Sequence, residues 1–330
     1  MKILVKAGRQ RVVCKDISAP VPEKDEAVIA VKACGICGSE MHVYDSESGG
    51  EPTGHELAGI IEQAPKGSLL KTGDRVVLNV VCGCGECGEC GQGRENFCCD
   101  WSTKGRPFRP GGHAEKVVYV ARNCLKIPDT MSFEAAVATG GCGIGVAWHG
   151  IKRLGIMPAE KVCVFGVGPI GLAAVMLIKQ MGAQAIALDV SEYRLNLAGQ
   201  FGAVRSLNSR DLDAMRTLPA LGIRHSILCT GNHEAAKSAL ALLAPRGQLL
   251  ILGGLSAWPL DSWQMIGIGD KTIFGSWHYH REEWPDILKL VSAGLPAQRL
   301  VTHVFNFTRA DEAYALFRQG NAGKVILKPD

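Results

Sequence analysis

Over residues 1–130 the apolar positions come in alternating or β-branched runs, broken by Gly, Pro and Asp. The runs Met1–Lys6, Ala27–Val31, Leu57–Ile61, Arg75–Val81 and His113–Val120 predict short strands in a loop-rich, all-β region. At Ser132 the spacing turns helical, with Ser132 as a cap ahead of Ala135–Thr139. From Lys161 onward strand and helix alternate. Val162–Phe165, Ala185–Leu188, Ser226–Cys229 and Gln248–Leu252 predict buried strands, and Leu172–Met181 and His233–Leu243 predict helices. Repeated βαβ units mean a parallel, doubly wound sheet. Beyond residue 280 the elements are short and mixed again, with a helix over Asp311–Arg318 and a strand over Lys324–Leu327.

Composition narrows the class. A chain of 330 residues with 47% hydrophobic residues has room for about two domains with cores of their own. Lys plus Arg is 36 and Asp plus Glu is 32, a net charge of 36 − 32 = +4 with no long like-charged run. That scatter argues against a nucleic-acid partner, which needs a concentrated basic face. No run of about 18 apolar residues occurs and no export signal is legible, so a cytoplasmic protein without a membrane partner is expected. In a reducing compartment the 13 cysteines are thiols or metal ligands rather than disulfides. Cys14, Cys34, Cys124, Cys163 and Cys229 read as small buried filler.

The other cysteines fall in patterns. Cys84, Cys87, Cys90 and Cys98 follow an x2-x2-x7 spacing on a glycine-rich loop, which suits a closed four-thiolate zinc site of structural type. Cys82 and Cys99 flank it and are not needed. Cys37 in the Gly35–His42 segment and the Gly54-His55-Glu56 turn supply a thiolate, an imidazole and a carboxylate, which suits a second, catalytic zinc with an open position. Gly166-Val167-Gly168-Pro169-Ile170-Gly171 joins a strand to a helix, where its glycines allow a tight turn and close approach of a pyrophosphate. Asp189 closes the next strand, placed to meet a ribose 2′-hydroxyl and to repel a 2′-phosphate; NAD is therefore expected over NADP, with Arg194 nearby as a counterweight. Thr230, Gly231 and Gly253 end later strands and are expected to border the cofactor.

In this order and approximate spacing, GICGSE, GHE, the four-cysteine lobe and GxGxxG resemble the zinc-dependent medium-chain alcohol and polyol dehydrogenases over nearly the whole chain. The resemblance implies a GroES-like catalytic domain over 1–144 and 278–330, with a zinc lobe over about 82–99, and a Rossmann NAD-binding domain over 145–277. It implies two Zn2+ per chain, NAD, an alcohol substrate and a homodimer or homotetramer. Cys37 and His55 would be zinc ligands, with Glu56 an adjacent carboxylate that ligates zinc or steers its water exchange. Ser39 would accept the substrate's proton and His42 relay it. Two departures stand out. Glu40 replaces the family's aspartate, one methylene shorter. Cys142 occupies a segment where polyol dehydrogenases often carry a glutamate, so Cys142 and Glu56 are rivals for third ligand.

The implied activity is reversible NAD-linked oxidation of a secondary alcohol (a polyol, sugar or hydroxy-acid derivative) to the carbonyl. The alternatives are a zinc-free reductase of the same superfamily and a non-catalytic dinucleotide-binding redox sensor. The loop Val43–Gly50 and the segment Trp101–Pro110 are expected to shape the substrate pocket.

Overall fold

The computed structural model describes residues 1–100, 111–254 and 256–330, so Trp101–Pro110 lies outside the described residues. The chain divides into two compact units, Met1–Gly145 with His278–Asp330, and Val146–Trp277.

The first unit is built on a seven-stranded sheet. Its path runs Val301–Asn306, Lys324–Lys328, Glu26–Gly35, Glu56–Gln63, Arg75–Leu78 and Cys124–Lys126, with Lys116–Val120 also pairing with Glu26–Gly35. A small sheet orders Val12–Asp16, Lys2–Ala7 and Gly49–Pro52. Burial of Ala27, Ile29, Val31, Leu57, Ile61 and Val76 makes one core, as their alternation predicts. A second core joins Leu4, Ile36 and Tyr44 to Phe305, Tyr314, Phe317 and Leu327, so residues far apart in sequence share it.

Two strands are shorter than their apolar runs. The strand from Arg75 stops at Leu78, because Asn79 turns its side chain back to accept from the Val81 N–H at 3.1 Å. The strand before Val120 starts at Lys116 rather than His113, whose N–H donates to the Thr53 carbonyl at 3.0 Å. Ser132 caps the helix Phe133–Gly140, its Oγ accepting from the Ala135 N–H.

The second unit is a six-stranded parallel sheet. Its order is Arg205–Asn208, Gln184–Asp189, Lys161–Phe165, His225–Leu228, Gln248–Ile251, Thr272–Gly275, the 3-2-1-4-5-6 order of a Rossmann fold. The helix Pro169–Gln180 is apolar nearly all round because eight consecutive residues, Gly171–Ile178, are buried. The strand order reverses between Lys161–Phe165 and His225–Leu228, where such sheets bind ligands.

All thirteen cysteines are free thiols. Cys34, Cys124 and Cys163 are buried filler, whereas Cys14 is exposed on its strand and Cys229 is half-buried. Among the described residues no helix is long and apolar enough to cross a membrane.

Candidate functional site

Cys37 lies on the turn after Glu26–Gly35, and His55 on the turn before Glu56–Gln63. Glu40 ties the two turns together: its Oε2 accepts from the Cys37 N–H at 2.9 Å and its Oε1 from the Gly54 N–H at 2.7 Å. The extra methylene thus carries the carboxylate to the main chain beside both side chains. Tyr314, from the helix Ala310–Arg318, donates its hydroxyl to Glu40 Oε1 at 3.2 Å. The same hydroxyl lies 3.2 Å from His113 Nδ1, which is 3.1 Å from Thr53 Oγ1. Burial holds the His113 imidazole down at about 4, so it sits neutral in this network. Gly54 has φ +85°, and a Cβ there would meet the His113 nitrogen at 2.5 Å, so no other residue fits that turn.

These turns bring Cys37, His55 and Glu56 against Cys142, which follows the helix Phe133–Gly140. Their four ligand atoms lie within 4.8 Å of one another. Cys142 Sγ is 3.7 Å from His55 Nε2. A tetrahedral zinc, with sulfur at ~2.3 Å and nitrogen at ~2.0 Å, would set such a pair about 3.5 Å apart, so the donors present fit that ion. Hydrogen bonding from Cys142 and the neighbouring His55 hold the Cys37 thiol well below its usual range, while Cys142 is pushed up. Burial works against charge on His55, yet the adjacent Cys37 raises its imidazole to about 9. In this electrostatic field a cation is favoured.

Glu56 is fully buried, and its Oε2 accepts from Lys324 Nζ at 2.5 Å. The same ammonium donates to the Cys142 carbonyl at 3.2 Å. Glu56 Oε1 is buried without a donor among the described residues. Burial pushes the Glu56 carboxyl up against the pull of Lys324, whose own ammonium is raised by Glu56 and the two thiols despite its burial. Sequence reasoning missed Lys324, Tyr314 and His113. Lys324 left one signal, a cation opening the apolar run Val325–Leu327.

Ser39 is exposed, its Oγ 3.3 Å from Cys37 Sγ. His42 is exposed on the helix Glu40–Asp45, three residues further on. Among the described residues no hydrogen bond joins Ser39 to His42.

The lobe cysteines Cys84, Cys87, Cys90 and Cys98 also gather their sulfurs within 4.8 Å. Cys84 and Cys90 are 3.9 Å apart, near the ~3.8 Å that a tetrahedral four-thiolate zinc requires. Backbone N–H groups of Cys84 and Cys87 point at sulfurs of this set, at 3.2 and 3.4 Å. Glu95, buried beneath, fastens the lobe by accepting from Asn123 at 2.7 Å, Arg122 at 3.2 Å and the Gly83 N–H at 3.3 Å.

In the second unit the glycine loop sits at the sheet's reversal point. A Cβ on Gly171 would lie 2.0 Å from the Gly166 carbonyl, so the helix can start this close to the turn only with glycine. Asp189 Oδ2 accepts from the Val167 N–H at 2.7 Å, and its Oδ1 from Val190 and Ser191 at 2.7 and 3.0 Å. The Arg194 guanidinium comes within 3.8 Å of where a Gly168 side chain would start, and burial lowers its pKa. Thr230 packs against Gly166 and Gly253, and Gly231 against Gly254, so these sequence-selected positions lie together. Pro169 opens the helix, and Ile170 follows it in the first turn.

The alcohol dehydrogenase GroES-like domain model matches residues 23–129, and the zinc-binding dehydrogenase model matches residues 169–293. An L-threonine 3-dehydrogenase of Anaeromyxobacter sp. (strain K) is 30% identical over 345 residues, covering 99% of this chain and 98% of that protein. An L-idonate 5-dehydrogenase of Vitis vinifera is 31% identical over 322 residues, covering 91% and 87%. Among solved structures, an alcohol dehydrogenase from Thermus sp. ATN1 superposes with a TM-score of 0.87 at 27% identity, covering 100% of both chains. An alcohol dehydrogenase from E. coli CFT073, solved with NADH, has a TM-score of 0.87 at 27% identity and covers 99% of both.

Proposed function

Because the chain belongs to the zinc-containing medium-chain alcohol and polyol dehydrogenases, we propose that it oxidises a secondary alcohol bearing further polar groups, reversibly, with NAD as hydride acceptor. A polyol, a sugar or a hydroxy-acid derivative is the substrate class. The observation that carries this reading is the convergence of Cys37, His55 and Cys142 beside the exposed hydroxyl of Ser39.

Cys37, His55 and Cys142 would hold the catalytic zinc, with Glu56 close by, and the four lobe cysteines would hold a structural one. The engagement of Glu56 with Lys324 favours Cys142 as third protein ligand. When bound, a zinc with an open position acts as a Lewis acid on the alcohol oxygen. Ser39 Oγ takes the substrate's hydroxyl proton and gives up its own. His42, three residues on and exposed, would release a proton to solvent, with no direct hydrogen bond to Ser39 among the described residues. Glu40 and Tyr314 keep the Cys37 and His55 turns in register. Asp189 already orders the glycine loop through Val167 and would face the adenosine ribose of NAD, where its charge disfavours a 2′-phosphate. A homodimer or homotetramer in the cytoplasm is the expected setting. Thirteen free thiols, eight of them in or beside the two metal clusters, suit a reducing compartment.

NADH formation from a panel of secondary alcohols tests the reading; zinc-loaded chain that reduces NAD with none of them refutes it. Cys142→Ala should weaken catalytic-site metal and remove one thiolate's share of the charge-transfer absorption of the cobalt form. Unchanged metal affinity and absorption would hand the third position to Glu56.

A further inference from the structure

The first unit contains a cavity of about 370 Å³ that the chemistry above uses only in part. Its size falls within the ~300–1,000 Å³ of small-ligand sites. Ser39 and His55 line it, so the proposed reacting centre opens into it. Val12, Val43, Tyr44 and Pro52 give it largely apolar walls, and Lys6 and Glu51 bring charge to them.

Glu51 has no role in the mechanism. Its strand Gly49–Pro52 pairs with Lys2–Ala7, with Val5 opposite Pro52 and Ala7 opposite Gly49, and the shift of register between these pairs leaves Gly50 and Glu51 together against Lys6. Lys6, itself buried, spends its ammonium elsewhere: it donates to the Ser46 carbonyl at 2.7 Å and to the Ser48 carbonyl. Those bonds fix the loop at the cavity's edge. Glu51 Oε2 is buried with no donor among the described residues. A carboxylate oxygen withdrawn from water without a hydrogen bond destabilises a fold, and such groups are kept where a ligand completes them.

We propose that Glu51 is a specificity-determining residue that accepts a hydrogen bond from a donor on the carbon next to the reacting carbinol. That donor is a second hydroxyl or an ammonium. The proposal rests on the dehydrogenase reading and narrows its substrate class. A simple alcohol leaves the Glu51 oxygen orphaned, whereas a vicinal diol or amino alcohol satisfies it. Sites built around one substrate donor reject the analogue that lacks it.

The test uses the zinc-loaded full chain with NAD and three substrates on one four-carbon skeleton: sec-butyl alcohol, its vicinal diol and its vicinal amino alcohol. The native chain should favour the donor-bearing pair by about 10- to 100-fold in kcat/KM, the worth of one hydrogen bond to a charged group. Glu51→Met should bring that ratio to within about threefold. A ratio on one preparation is insensitive to a general loss of folded enzyme. Glu51→Gln keeps an acceptor but not the charge, so a preference lost only for the amino alcohol identifies the ammonium as the donor. Calorimetry of the diol binding to the chain loaded with NADH gives a readout without turnover, expected to weaken about tenfold in Glu51→Met. Equal losses on all three substrates, or a native chain that does not discriminate, would overturn the assignment. If none is oxidised but diol binding still weakens in Glu51→Met, Glu51 keeps its role and the dehydrogenase reading falls. If none is oxidised and binding is unchanged, both fall.

Discussion

Replacing Lys324 by methionine should be among the most damaging single changes in the first unit. The substitution keeps the length of the stem and removes the ammonium. Lys324 and Glu56 are 1% and 0% exposed and 2.5 Å apart, so neither has water to fall back on. Without the ammonium, Glu56 is left with no charge partner on either oxygen, and the Cys142 carbonyl loses its 3.2 Å donor. Stranding one member of a buried pair costs about 3–5 kcal/mol, and losing the carbonyl's bond adds about 1 kcal/mol. At roughly 2–4 °C per kcal/mol for a unit of this size, the unfolding midpoint should fall by about 8–24 °C. Thermal unfolding of the zinc-loaded protein measures it. The double variant Glu56→Gln with Lys324→Met leaves no charge behind and should recover at least half of the loss. The reasoning fails if the single variant costs under about 1 kcal/mol, or if the double variant is no more stable than the single.

Cys87→Ser should lower the melting temperature and the zinc content by one ion before it touches turnover, because a closed thiolate site contributes folding energy directly; metal analysis with an unchanged midpoint would contradict that. The native chain should prefer NAD over NADP by at least about tenfold, or ~1.4 kcal/mol, and Asp189→Asn should shrink the ratio at least about tenfold. That variant should also slow turnover with NAD, since an amide nitrogen facing the Val167 N–H cannot accept from it; an unaltered cofactor ratio would rule out the role of Asp189. His225, buried with Nε2 3.2 Å from Glu160 and near Arg224, is held below its usual value by burial despite that carboxylate. A depressed imidazole contributes stability that is present above its unfolded value of about 6.5 and lost as pH falls through that range. Glu160 is depressed too, but its contribution is lost only below its own unfolded value of about 4.5. Between about pH 7.5 and 5.5 the native chain should therefore lose more stability in urea than His225→Asn, and parallel losses would show that His225 carries no such linkage.

The parts of this molecule that read directly from sequence are those whose determinants are local. The glycine turn, the lobe cysteines and the Ser132 cap each lie within a short stretch of chain, and each occupies its expected place in the fold. Apolar periodicity located the sheets but overran them at Leu78, where an asparagine side chain replaces a ladder bond. The candidate metal centre was legible only as single residues. The contacts that hold it span long separations: Lys324 to Glu56, Tyr314 to Glu40, His113 to Thr53. No period or spacing encodes such pairs, because burial and not sequence proximity creates them. Glu51 was invisible for the same reason, since a polar residue in a turn-rich stretch looks solvated until its surroundings are known.

The discontinuity of the first unit bears on how the protein matures. Its central strand Glu26–Gly35 takes a neighbour from Lys324–Lys328, with Ile326 opposite Gly35 and Leu327 opposite Cys34. A ribosome working at about 5–20 residues per second needs roughly 10–35 s to travel from the end of the first segment to that strand. In that interval the whole of Val146–Trp277 is made, a contiguous stretch that can close on its own as it emerges. The turns bearing Cys37 and His55 wait meanwhile without the lysine that neutralises Glu56. A metal taken up at this candidate centre would therefore be loaded after translation, once Val146–Trp277 has been made, and the waiting thiols would then be most open to oxidation or to capture of the wrong ion.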